Sequence, residues 1–487
     1  MTALLDTSIW DGRVYGGDGW CPAEGGVAAV REPATGDTLT EVGVASPADI
    51  AKACASAAAA QQDWSQSWIT RAAVLRQAAA LLEQNAESFT EWLIRETGSI
   101  RPKAEFEVQL TIGELHEAAA LPSQPYGELL PSAQPGKTIM ARRIPVGVVG
   151  AITPWNFPLV LSMRTVAPAL ALGNAVVLKP DLQTPVTGGY AIARLFEEAG
   201  LPAGVLQVLA GDAEPGEALV TDDHVSMVSF TGSSEVGRRV GELAGRGLKR
   251  VQLELGGNSA LIVLDDADVE RATSNGAWGS FLHQGQICMA TSRHLVHQSI
   301  ADEYVERLAA RADALPVGNP NTEQVALGPL INETQLAKVD AIVHDSEAAG
   351  AKIVTGGTHD ALFYKPTVLA QVTPSMRAFD EEIFGPVAPV TTFADDDEAV
   401  TLANQTAYGL SAAVQTGSLG RGLALADRIK SGAVHINDQT VNDQANVPFG
   451  GVGVSGNGGR FGGRSNVDEF TQYQVVTVRD EPIIYPF

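Results

Sequence analysis

Between residues 146 and 254 short apolar, β-branched runs alternate with stretches of helical spacing, and few folds accept that order. Residues 147–153, 175–179, 205–209, 226–230 and 250–254 read as strands, and 159–172, 184–199 and 234–244 as helices. Such alternation implies a parallel sheet covered on both faces. Ligands of these sheets bind beyond the C-terminal strand ends. The polar residues at those ends are Thr153 to Asn156, Lys179, Thr231 to Ser233, and Glu254. The alternation resumes from 260 to about 436, with strands expected at 261–264, 352–355, 387–393 and 431–436 and helices at 269–285, 301–314 and 335–349. A second α/β domain follows from it.

Two helical stretches, 47–66 and 69–98, precede the first sheet; Ser46-Pro47 reads as an N-cap pair and Gly98 as a stop. Residues 126–143 read as two strands around a Pro- and Gly-containing loop, and 467–479 as a strand-like tail. A chain of 487 residues suggests about three domains at roughly 150 residues each.

The balance of 33 basic against 57 acidic residues gives a net charge of −24. So acidic a surface repels phosphate backbones and anionic lipid, which argues against nucleic acid and membrane partners. Residues 144–163 carry no charge and are long enough to span a bilayer, but Pro145, Pro154, Pro158 and Asn156 fit a buried strand and turn better. The N-terminus shows no basic region followed by an apolar run, so no signal peptide is expected. Three cysteines, Cys21, Cys54 and Cys288, make no disulfide framework and no CxxC, which fits a reducing cytoplasm.

Several motifs carry little. Gly451, Gly453 and Gly456 form a GxGxxG, but in a glycine-rich stretch that reads as a loop and not as a strand-to-helix fingerprint. His116-Glu117 lacks the second histidine of a zinc site, and no GxSxG occurs. The acidic runs 265–268 and 395–398 read as capped helix starts, so no metal is expected. Cys21 and Cys54 read as small buried hydrophobes. Cys288 differs, because a polar, glycine-containing stretch from His283 to Ala290 surrounds it. A thiolate nucleophile needs a lowered pKa and a base nearby. Glu254 offers a carboxylate inside an apolar strand, where it is costly without a task or a partner.

Glu254-Leu255-Gly256-Gly257, then Gln284-Gly285-Gln286-Ile287-Cys288, resembles the signature of the aldehyde dehydrogenase superfamily. So do Thr153-Pro154-Trp155-Asn156-Phe157-Pro158, Phe230-Thr231-Gly232-Ser233, Glu382-Ile383-Phe384-Gly385-Pro386 and Pro448-Phe449-Gly450-Gly451, in the family's order and spacing. The stretches 162–175 and 436–443 are similar to the benzaldehyde and vanillin dehydrogenase group. The resemblance implies an α/β fold with a Rossmann-type coenzyme domain (1–122 and 146–256), an α/β catalytic domain (257–455) and small β oligomerisation arms (123–145 and 465–487). It implies a homodimer, or a tetramer built from dimers.

It further implies that Cys288 attacks an aldehyde, that Asn156 and the Cys288 amide hold the oxyanion, and that Glu254 activates water for thioester hydrolysis. The coenzyme would be NAD, with NADP also accepted. It would meet Thr153, Pro154, Trp155, Lys179, Gly211, Phe230, Gly232, Ser233, Val236, Leu255, Gly256, Glu382 and Phe384. Three positions depart from the family's pattern. Leu182 stands where NAD-preferring members often carry a ribose-binding glutamate, Gly453 where a lysine is common, and Gly463 where a second glutamate is frequent. Leu161, Ile287 and Met289 are the expected substrate pocket, which suggests an aromatic or other apolar aldehyde. Arg164 keeps open an acidic semialdehyde. The remaining readings are a cysteine hydrolase and a non-catalytic binding or structural protein that retains the fold.

Overall fold

A computed structural model describes residues 4–487. The first sheet has seven strands, in the order Arg250–Glu254, Val225–Thr231, Val148–Ile152, Ala175–Lys179, Leu206–Val208, Arg13–Gly16 and Gly19–Pro22. The first five are parallel, and the N-terminal hairpin closes the far edge antiparallel. Val148–Ile152 lies at the centre, and the chain runs to opposite sides of it before and after Leu206–Val208. That reversal is the place where open α/β sheets form a ligand crevice. The register pairs Ile152 with Lys179 and with Phe230, and Thr231 with Glu254, so the expected polar strand ends stand side by side.

The second sheet also has seven strands: Lys352–Thr355, Thr367–Ala370, Val387–Phe393, Thr291–His297, Ser259–Val263, Ser411–Gln415 and Ala433–Ile436. All neighbours are parallel except the first pair. Three of these strands, 291–297, 367–370 and 411–415, were not expected from the sequence. Each is short and fully or largely buried, so it lacks a two-residue alternation to mark it.

Local chemistry explains most boundaries. Ser46 and Asp49 form a reciprocal capping box at the start of Pro47–Trp64. The stretch read as one helix over 69–98 is two, Trp68–Gln84 and Ala86–Thr97, because the Asn85 side chain turns back to donate to the Leu81 carbonyl at 2.8 Å. The helix expected at 184–199 opens with a π turn, Val186–Tyr190, where buried Glu96 accepts from the amides of Val186 and Thr187. Asp268 and Asp395 cap their helices as expected. The helix Arg101–Ala120 was missed, and so was the hairpin Val27–Arg31 with Thr38–Gly43. Cys54 is buried as expected, but Cys21 is exposed on the edge hairpin.

Residues 144–163 are a buried strand, a turn and a helix start; no helix among the described residues is long and apolar enough to cross a membrane. Gly127–Leu130, Lys137–Pro145 and Thr471–Arg479 form a three-stranded antiparallel sheet. The tail strand begins at Thr471 and not at 467, since Ser465–Phe470 is helical.

Candidate active site

At the strand ends two cavities meet. The larger, about 620 Å³, is lined by Thr153, Lys179, Leu182, Gly211, Phe230 and Val236, among others. The smaller, about 200 Å³, takes in Asn156, Leu161, Leu255, Gly256, Cys288, Glu382 and Phe384. They share Pro154, Trp155, Thr231, Gly232 and Ser233. A single trough therefore runs from Lys179 to Cys288, past the start of the helix Ser234–Arg246 that Ser233 caps.

Cys288 is held by a loop that few sequences could form. After the helix Val269–Phe281, His283 and Gln284 take left-handed φ of 50° and 56°. Such conformations persist only where the surroundings fix them. Gln284 donates to the carbonyls of Gly98 and Pro329, and Gln286 Oε1 accepts from the Ile331 amide at 3.0 Å. Distant motifs interlock through missing side chains. A Cβ on Gly257 would lie 2.0 Å from the Cys288 carbonyl oxygen, and one on Gly256 2.5 Å from Glu382 Oε2. The Gly257 amide donates to Glu382 Oε1 at 2.8 Å. Asn156 Nδ2 donates to the Gln286 carbonyl at 2.9 Å, which brings this amide beside the Cys288 loop. One of its two N–H groups is thus used and one is free for another acceptor.

Glu254 is buried at the end of its strand, and neither carboxyl oxygen has a hydrogen-bond partner among the described residues. Burial holds its pKa well above the usual carboxylate range, against the opposing pull of Arg164 and Arg460. Burial likewise pushes the Cys288 thiol up to about 12, with the nearby Glu382 and Glu254 carboxyls adding to the rise. Burial and the two carboxyls thus favour the neutral thiol over the thiolate. The glycine-rich stretch with the GxGxxG pattern is neither a nucleotide fingerprint nor a free loop. Leu255 donates to the Ser455 carbonyl at 2.9 Å, and a Cβ on Gly450 would meet both Glu254 Oε1 and Arg460 Cδ. The stretch closes over Glu254.

At the other end of the trough, Lys179 Nζ donates to the Gly211 carbonyl at 2.5 Å. Val236 and Phe230 wall the large cavity, and Thr153 bonds Ser162. Trp155 and Phe384 meet edge to face at 5.4 Å over the smaller cavity. A cation, a helix start and two facing carboxyl or aromatic ends suit an elongated dinucleotide, so the residues present fit such a coenzyme. Leu182 packs against the core and offers it no polar atom.

The expectation for Arg164 is corrected. It is 3% exposed, paired with Asp443 and, at 3.4 Å, with Glu114, and its guanidinium lies 4.8 Å from the Phe449 ring. Two buried carboxylates already take its charge, so it is not held out to an acidic substrate. Ile287 and Met289 are buried in one apolar cluster with Phe157, Val160 and Leu410, on which Leu110, Leu161, Val441, Phe449 and Cys288 pack. The contributions of Leu110 and of Lys103, Glu107 and Glu114 were not legible beforehand. Lys103 and Glu107 sit at i and i+4 with opposite charge, which in a sequence reads as a solvated helix face.

Comparison with known proteins gives this arrangement its class. The model of the aldehyde dehydrogenase family matches residues 20–476, and the chain belongs to that family of aldehyde-oxidising oxidoreductases. It is 60% identical to a vanillin dehydrogenase of Amycolatopsis sp. and 52% identical to an NAD(+) benzaldehyde dehydrogenase of Pseudomonas putida, each over 100% of both chains. Among solved structures, a betaine aldehyde dehydrogenase of Staphylococcus aureus in complex with NAD+ superposes with a TM-score of 0.96 at 31% identity, covering 99% of this chain and 97% of that one.

Proposed function

We propose that this enzyme oxidises an aromatic aldehyde of the benzaldehyde or vanillin type to the carboxylic acid, with NAD as coenzyme and NADP accepted more weakly. The observation that carries the substrate class is the apolar cluster around Cys288, with Arg164 neutralised behind it. The names of the relatives agree with it. Behind Cys288 an acidic semialdehyde would find Arg164 already paired, while the cation that lines the cavity, Lys338, lies near Glu382.

In the reaction, Cys288 Sγ adds to the carbonyl carbon as its proton leaves toward Glu254, directly or through water. The second amide N–H of Asn156 and the backbone N–H of Cys288 face the developing oxyanion, where each preorganised donor is worth several kcal/mol. The nicotinamide, when bound, supplies the hydride acceptor. Lys179 and Glu382 would hold its two riboses, and Trp155 and Phe384 would keep water off the ring. Cys288 is then left as a thioester. Once its first proton has passed to solvent, Glu254 takes a proton from water, the resulting hydroxide attacks the acyl carbon, and the acid is released as Glu254 returns that proton to the leaving thiolate.

Replacing Ile287 with Gly tests the pocket. The preference for benzaldehyde over acetaldehyde, read as a ratio of kcat/KM, should fall roughly tenfold. An unchanged ratio would remove Ile287 from the substrate wall.

The coenzyme preference rests on charge. Asp181, Asp212, Glu217 and Glu235 line the adenosine end, and Arg239 is engaged by Glu217 at 2.9 Å. A 2′-phosphate is thus poorly received. Glu217→Gln should loosen Arg239, leaving it only the longer contact with Glu242 at 3.8 Å, and raise kcat/KM for NADP roughly two- to fivefold while NAD is unaffected, the scale of an exposed ion pair. Equal responses of both coenzymes would count against this reading.

We place the enzyme in the cytoplasm, on its three unpaired cysteines. We infer a homodimer or a dimer of dimers, because the edges of the three-stranded sheet carry exposed Leu129, Tyr473 and Val475 and need cover.

A further inference from the structure

The helix Arg101–Ala120 puts charge where core is expected. The side chains of Lys103 and Glu107 are both 0% exposed, with Nζ and Oε2 2.6 Å apart. A fully buried ion pair is seldom worth its desolvation cost in stability alone. This pair also grips the turn that carries Asn156, from both sides. Lys103 Nζ donates to the Asn156 backbone carbonyl at 2.9 Å and lies 4.0 Å from the Phe157 ring centroid. Glu107 Oε1 accepts from the amides of Leu159 at 2.9 Å and Val160 at 3.3 Å. The Phe157 ring in turn meets His283, in the loop that leads to Cys288, at 5.6 Å. Lys103 itself lines neither cavity and touches no substrate.

We propose that Lys103 is a positioning residue for aldehyde oxidation: held by Glu107, it fixes the Asn156 turn so that the Asn156 amide faces the oxyanion beside Cys288. The inference rests on the role given to Asn156 above. Its effect on rate should pass through Asn156, whose carbonyl it holds, whereas a route through Phe157 and His283 to the Cys288 loop would persist without the Asn156 side chain.

The test is a double-mutant cycle on the full-length enzyme with benzaldehyde and NAD. Lys103→Met in the parent should lower kcat about tenfold to a hundredfold, the scale of a misplaced group, with KM for the aldehyde within about twofold. The same change in an Asn156→Ala background should lower kcat no further. Lys103→Gln can still pair with Glu107 but is one bond too short to reach Asn156 as well. It should show the same pattern, and it carries the test if the Met variant does not fold. Equal fold-losses in both backgrounds would mean that Lys103 is merely structural, and an unchanged kcat would mean that it does nothing; either result overturns the proposal. A parent enzyme that reduces no coenzyme with any aldehyde would remove the functional reading first, whereas an active parent with equal losses removes only the role of Lys103.

Discussion

Glu254→Gln should lower steady-state turnover by about two to four orders of magnitude yet leave a stoichiometric burst of reduced coenzyme. The substitution is nearly isosteric, and it replaces a buried acid whose oxygens have no hydrogen-bond partner among the described residues, so the fold should be undisturbed. Without the carboxylate, water at the thioester has no base. The burst should also be slow near neutral pH, because the Cys288 thiol is pushed up to about 12 and must lose its proton to add to the carbonyl. It should quicken as pH rises, since hydroxide can take the proton from the thiol. In the parent, burial favours the neutral acid form of Glu254, so turnover should climb with pH through a titration above the usual carboxylate range. Stopped-flow absorbance across pH separates the two phases. A variant with unimpaired turnover would take Glu254 out of the reaction, and one without a burst at any pH would make it essential for thiol addition.

Arg164→Met should cost about 3–5 kcal/mol of stability in chemical denaturation, because it strands two buried carboxylates. Glu114 and Asp443 both lose their cation, and Glu114 already has its pKa raised by burial, opposed chiefly by Arg164. Adding Asp443→Asn should recover part of the loss, since one of the two stranded charges is then gone. The ratio of benzaldehyde to succinic semialdehyde turnover should not move. A variant as stable as the parent but selectively poorer with the acidic aldehyde would restore Arg164 as a substrate ligand.

The parts of this molecule that the sequence made legible are those whose physics is local. The strands Ala175–Lys179, Arg250–Glu254 and Val387–Phe393 have the bounds expected from the sequence, and Ser46, Asp268 and Asp395 cap the helices they precede. The site motifs were legible through their resemblance to those of a known family, and for Gly256 and Gly257 the structure supplies the physical reason, their close approach to Glu382 and Cys288. What stayed hidden depends on partners distant in the chain. Arg164 looked available because nothing nearby in sequence announces Glu114 or Asp443. Lys103 and Glu107 went unread because their i, i+4 spacing is that of a surface pair, and the packing of their helix on Pro158–Ala171 and on the two helices before it buries them. The raised pKa of Cys288 is a property of the folded pocket, with carboxyls from two other segments beside it. The buried strand Thr291–His297, which includes Arg293 and His294, has no alternation to reveal it.

The most direct test of aromatic aldehyde oxidation through Cys288 is absorbance of the reduced nicotinamide. Purified enzyme would be mixed with benzaldehyde, vanillin, acetaldehyde or succinic semialdehyde, each with NAD and with NADP, beside a Cys288→Ala control. The expected result is the fastest rise with the aromatic aldehydes and NAD, and none in the control. Turnover confined to succinic semialdehyde, or a rise that survives the loss of Cys288, would contradict it.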